Sequence, residues 1–161
     1  MPGTITSMAP DGGAAEPVII ATDGSESAER AVIVGASMAR MLGTRAVLVY
    51  VRPSIGLLGE PDYQEKLTEQ MAYARAAIDR AQTLVSQAGC EADAEILEGN
   101  ARDRVVELAQ ARNAPMIVVG SRGLGAVTGA LLGSVSSGVI HRADRPVLVV
   151  PNVTGDENAV A

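Results

Sequence analysis

The sequence has no Phe and no Trp, and it carries one cysteine and one histidine in 161 residues. Each scarcity excludes something. Cys90 alone can form no internal disulfide and no cysteine-built metal cluster. Without Phe or Trp, a chain that is 47% hydrophobic must build its core from Val, Leu, Ile, Ala and Met. No apolar run approaches the length of a membrane span. The N-terminus also lacks the basic-then-apolar order of a signal peptide, so a soluble, cytoplasmic protein without membrane contact is expected. Positive charge is short as well. The net charge is −6 and the isoelectric point about 4.8, which argues against a nucleic-acid partner. Lys66 is the only lysine. His141 reads as a helix-end residue meeting the last carbonyls, and Cys90 as a small packed side chain rather than a reactive thiol.

Glycine, in contrast, is abundant and placed with a pattern. Residues 120–137 read GSRGLGAVTGALLGSVSS, with Gly120, Gly123 and Gly133 separated by two and nine residues and Ser134 directly after the last. In front stands Met116-Ile117-Val118-Val119, a β-branched run suited to a buried strand. Behind it, Ser134 to Arg142 reads as a helix with a serine at its start. Strand, glycine-rich loop and helix together make the arrangement in which bare backbone N–H groups and a helix N-terminus face an anion, usually a phosphate.

The rest of the chain alternates in the same way. Residues 1–16 lack periodicity and read as a mobile extension. Pro17 to Thr22 is a strand apolar on both faces, ending in the turn Asp23-Gly24-Ser25, where Ser25 can cap the next helix. Ala28, Ala31, Val32, Gly35, Ala39 and Leu42 recur at helical spacing until Gly43. Ala46 to Val51 is a second buried strand. A loop from Pro53 to Pro61 carries Ile55, Leu57 and Leu58, which suit a lid, a dimer contact or simple packing. An amphipathic helix covers Asp62 to Gln87. Glu91 to Leu97 alternates, as at a sheet edge. Asn100 caps a helix through Asn113, and Pro146 to Pro151 is a fifth strand, followed by a loose tail over 152–161. One α/β domain over 17–151 is expected, with a parallel sheet, helices on both faces and a ligand crevice beyond the strands' carboxyl ends.

These blocks resemble the nucleotide-binding class of the universal stress protein family. The resemblance spans roughly Pro17 to Pro151 and rests on Ala21-Thr22-Asp23-Gly24-Ser25, Val47 to Val51, Val119 to Gly123, Leu132 to Ser136 and Arg145 to Val150. Gly-x2-Gly-x9-Gly-Ser is that family's ATP signature, and every position is present. The resemblance implies a five-stranded, open, doubly wound Rossmann-like sheet of order 3-2-1-4-5, related to the adenine nucleotide α-hydrolase fold. It implies ATP, with Mg2+ accompanying it, as ligand. It places Ala21, Thr22 and Asp23 beside the adenosine, Asp23 on the ribose side, and Val51 main-chain groups on the adenine edge. Gly120, Arg122 and Gly123 would wrap the ribose and first phosphates, with Arg122 meeting a phosphate or pointing to solvent. Gly133, Ser134, Val135 and Ser136 would hold the outer phosphates. The fifth strand, Val147 to Val150, would pair antiparallel with that of a second copy. The arginine-rich basic set suits a GC-rich bacterial genome.

Two classes of function compete. One is a homodimeric nucleotide-binding sensor of the stress response with no catalytic set and at most weak ATP hydrolysis. The other is an ATPase or a phosphoryl- or nucleotidyl-transferring enzyme. Against the enzyme, Lys66 lies on a different helix from the glycines, so there is no Walker lysine, and Gly133-Ser134-Val135-Ser136 is no nucleophile elbow. A phospho-accepting receiver domain fails because Leu97-Glu98-Gly99 and Pro151-Asn152 stand where its aspartate and lysine belong. Binding of AMP or cyclic AMP, and a dimeric scaffold without nucleotide, remain as alternatives.

Overall fold

Five strands pair in parallel because each of the first four is followed by a helix that carries the chain back across the sheet. In chain order the elements are β1 (Val18–Ala21), α1 (Glu26–Met41), β2 (Ala46–Arg52), α2 (Tyr63–Gln87), β3 (Ala92–Glu98), α3 (Ala101–Ala111), β4 (Ile117–Gly120), α4 (Ser134–Arg142) and β5 (Val147–Val150). This computed structural model describes residues 16–56, 59–122 and 132–152. The sheet order is β3-β2-β1-β4-β5 with every neighbouring pair parallel, as expected.

Strand parity sorts the core into two layers. Val18, Ile20, Leu48 and Val118 face one way and pack against the α1–α2 side. Ile19, Val47, Val49, Ile117 and Val119 face the other way, toward Val105, Leu108 and Val139 of α3 and α4. Val18, Ile19 and Ile20 are fully buried, which explains why β1 lacks alternation. No aromatic ring is needed because α1 presents a face of small residues, Ala28, Ala31, Gly35, Ala36 and Ala39, that lets it lie close on the sheet.

Helix ends follow local chemistry. After α1, α2 and α3 the chain closes through Gly43, Gly89 and Asn113, each with positive φ. In each case the next residue's N–H reaches back to the helix: Thr44 to the Ala39 carbonyl, Cys90 to Val85 and Ala114 to Ala109. Asn113 is therefore the left-handed residue that stops α3, which ends at Ala111 rather than running through Asn113. Glu16, read from sequence as part of the extension, accepts a hydrogen bond at its carbonyl from Thr44 Oγ1 (2.8 Å) and at its carboxylate from Asn113.

The edge strands differ. Along β3 the acids are matched by arginines: Arg45 bonds Glu91 and Asp93, Arg112 bonds Glu95 and Arg52 bonds Glu98. On β5, Val147, Leu148 and Val149 are half-buried at the other edge, with no charged residue among them.

Candidate functional site

β1 lies between β2 and β4, and the connections leaving β1 and β4, through α1 and α4, diverge to opposite sides, so a crevice opens above the strands' carboxyl ends. A cavity of about 280 Å³ occupies that point. Its floor is made by the ends of β1, β2 and β4. Its walls are the first turns of α3 (Ala101, Val105) and α4. Ala21, Thr22, Asp23, Val51, Gly120, Arg122, Gly133, Ser134, Val135 and Ser136 all line it. Gly123 and the other loop residues up to 131 lie outside the described residues, as do Leu57 and Leu58.

The β1–α1 turn is held by its own side chains. Asp23 Oδ1 accepts from the Ser25 N–H (3.0 Å) and from Ser25 Oγ (2.5 Å), while Ser25 Oγ accepts from the Ala28 N–H (3.2 Å) and so caps α1. Thr22 is buried; its N–H donates to the Val49 carbonyl and its hydroxyl accepts from the Gly24 N–H. Gly24 has φ +79°, and a β-carbon there would stand 2.9 Å from Ala77 Cβ and 3.3 Å from the Tyr73 hydroxyl, so only glycine fits. Asp23 thus closes the turn and also lines the cavity.

On the opposite wall, Ser136 ties β4 to α4. Its hydroxyl is buried within reach of the Ser121 carbonyl (3.2 Å) and the Gly133 carbonyl (3.0 Å). The serine expected to start α4 does not cap it. The N-cap is Gly133, in extended backbone and with no side-chain hydrogen bond to the helix. Three helix N-termini border the cavity, and the other two are capped, α1 by Ser25 and α3 by Asn100, whose Oδ1 accepts from the Arg102 N–H at 3.0 Å. The first N–H groups of α4 are those left for an anion, at the end of a dipole worth about half a positive charge.

The remaining lining residues, Ala28, Val49, Tyr50, Ala101, Val105 and Val119, were not singled out in sequence. Their signal was parity: Val49 shares a face with Val51, and Ala101 and Val105 are one turn apart behind the Asn100 cap. Tyr50 packs against Tyr73, with ring centroids 6.0 Å apart, and Tyr73 donates to the Asp23 carbonyl at 3.4 Å. Burial, then the neighbouring Tyr73 and Asp23, raise the Tyr50 phenol above its ordinary pKa. Lys66 pairs with Asp62 (2.5 Å) on α2 and does not line the cavity. His141 Nδ1 meets the Ser137 carbonyl at 2.8 Å on the exposed side of α4. Cys90 is half-buried beside the Thr44 and Glu91 carbonyls. Among the described residues no cluster of His, Cys, Asp or Glu could hold a metal ion, and no helix is long and apolar enough to cross a membrane.

Comparison with known proteins agrees with this geometry. The model of the universal stress protein family matches residues 15–151. A universal stress protein of Thermus aquaticus is 36% identical over 134 residues, covering 83% of this chain and 96% of its own. Among solved structures, the universal stress protein of Archaeoglobus fulgidus in complex with dAMP superposes with a TM-score of 0.69 at 25% identity, covering 86% of this chain and 99% of that one. A universal stress protein in complex with cAMP gives a TM-score of 0.68 at 27% identity, covering 86% and 98%.

Proposed function

The chain belongs to the universal stress protein family, and from that premise we propose that it binds ATP in the cavity above β1 and β4 and acts as a homodimeric regulatory module of the stress response. One observation carries this reading. Gly120, Gly133 and Ser134 of the glycine signature and the residues of the β1 turn, far apart in sequence, line one cavity beside the helix N-terminus that has no side-chain cap. In this reading Val51 main-chain groups meet the adenine edge and Asp23 meets the ribose. Gly120, Arg122 and Gly123 hold the first phosphates, while the N–H groups and hydroxyls from Gly133 to Ser136 hold the outer ones. Mg2+ accompanies the triphosphate, and no protein ligand is assigned to it.

Binding is favoured over catalysis by what lines the cavity. Among the described residues Asp23 is its only carboxylate, tied into the turn, and neither lysine nor histidine faces it. A general base or nucleophile for rapid phosphoryl transfer needs such a group in reach of the reacting atom. A second reading is supported by the relatives. The Archaeoglobus protein was solved with dAMP and another with cAMP, so a monophosphate competes with ATP as the resident ligand.

The test is to denature the purified protein, identify any released small molecule by mass spectrometry, and titrate the stripped protein with ATP, ADP, AMP and cyclic AMP. Release of ATP, or tighter binding of ATP that Gly133→Val abolishes, supports the sensor. Release or tighter binding of AMP or cyclic AMP supports the second reading. No binding up to millimolar nucleotide rejects both, and turnover of ATP at an enzymatic rate restores the enzyme.

A further inference from the structure

Arg102, the second residue of α3, is a half-buried cation beside the cavity that the nucleotide signature does not include. Its neighbour Ala101 lines the cavity, and its own N–H is fixed by the Asn100 cap. The stem runs off α3 onto α4 at Gly138. A β-carbon built on Gly138 would stand 3.1, 2.4 and 1.8 Å from Arg102 Cβ, Cγ and Cδ, so the aliphatic part occupies the space that a side chain at 138 would fill. Gly138 lies four residues beyond Ser134, about 6 Å along α4. Side chains on a helix lean toward its N-terminus, and both α3 and α4 start on the cavity rim.

Among the described residues the Arg102 guanidinium has no hydrogen bond and no ion pair. The arginines around it do. Arg104 bonds Glu107 and the Glu98 carbonyl, Arg142 bonds Asp103, and Arg145 bonds Asp144 and two carbonyls. With 19 acidic residues in the chain, Arg102 is not unmatched for want of carboxylates. A cation held by its stem against the uncapped helix, with its five donors unused, is suited to an anion arriving from outside, and a guanidinium fork suits phosphate oxygens.

We propose that Arg102 engages the terminal phosphate of a nucleoside polyphosphate whose outer phosphates lie at the start of α4, and so sets the preference for ATP over AMP. This rests on the nucleotide reading above. Arg122 follows β4 and lines the cavity itself, whereas Arg102 does not line it and stands on α3 next to the lining residue Ala101, its stem against Gly138 of α4.

The test is calorimetric titration of the full chain with ATP and AMP for the wild type, Arg102→Met and Arg102→Lys. Methionine keeps an apolar stem over Gly138 and removes the charge. The ratio of ATP to AMP affinity is expected to fall about tenfold or more in Arg102→Met and to recover in part in Arg102→Lys, which restores a cation without the fork. An unchanged ratio overturns the proposal and leaves Arg102 as a strut between α3 and α4. Equal loss of both affinities with a lower Tm overturns it in the same sense. Failure of the wild type to bind either nucleotide rejects the nucleotide reading as well, whereas an unchanged ratio leaves that reading standing.

Discussion

At the scale of single residues, the site is built from side chains that hold one another before any ligand arrives. Asp23 closes its turn through Ser25, Tyr73 reaches the Asp23 carbonyl, and Tyr50 leans on Tyr73. The Tyr50 phenol is neutral at ordinary pH, and burial, Tyr73 and Asp23 all oppose its ionisation, so its folded pKa lies above the unfolded value of 10.0. The sign follows from linkage. Its contribution to stability is fully present below pH 10 and is lost as pH rises through the raised folded value. Tyr50 is expected to ionise late in an ultraviolet absorbance titration, and Tyr50→Phe should remove that late step. Asp23, Thr22 and the glycines were legible in sequence because an Asp-Gly-Ser turn ends a buried apolar run and the glycines keep a two-and-nine spacing behind another. Tyr50 and Tyr73 were not. Their pairing depends on α2 crossing β2, which no spacing along the chain records.

Helices and strands were legible from apolar periodicity, and their ends from capping chemistry. Ser25 and Asn100 cap α1 and α3 as read, and Gly43 closes α1. The misreadings lie where an end is decided by backbone geometry rather than by residue type. Asn113 takes the left-handed conformation that stops α3, and α4 is capped by Gly133 instead of a serine. The bare start of α4 leads to a prediction at this scale. Gly133→Asp places a carboxylate where the N-cap side chain is missing. It should hold or slightly raise the stability of the ligand-free protein, by a few tenths of a kcal/mol, because the carboxylate accepts from the α4 N–H groups. The same carboxylate competes with the phosphates, so ATP affinity should fall about tenfold or more. Urea denaturation and calorimetric titration of one sample measure both. Lower stability together with unchanged ATP affinity would contradict this account of α4.

For the whole molecule, the two edges of the sheet differ in how open they are to a second chain. An open edge is a template for pairing unless charge, a bulge or a cover blocks it. β3 is guarded by its arginine–carboxylate pairs, and β5 is not. The Ile117 N–H donates to the Pro146 carbonyl and the Ser121 N–H to the Val150 carbonyl. The alternation of a strand then turns the backbone groups of Val147 and Val149 outward. The wild type is expected to be a dimer in light scattering. Val149→Pro, which removes an outward N–H and leaves the β4 ladder intact, is expected to be a monomer with the same circular dichroism. A monomeric wild type would reject the dimer, and a dimer unaffected by the proline would move the interface elsewhere.

By itself the sequence determined which segments are strands and helices, the family the chain resembles, and which residues are candidates for a ligand. Those follow from periodicity, turn chemistry and the spacing of three glycines, all local properties. Only the tertiary structure decided that Thr22, Val51, Gly120 and Ser136 meet on one cavity, that α4 alone among the bordering helices lacks a side-chain cap, and that Arg102 lies across Gly138 with no partner among the described residues. These depend on how parallel strands and crossing helices bring distant residues together, and contacts between residues far apart in the chain leave no periodic trace in its order.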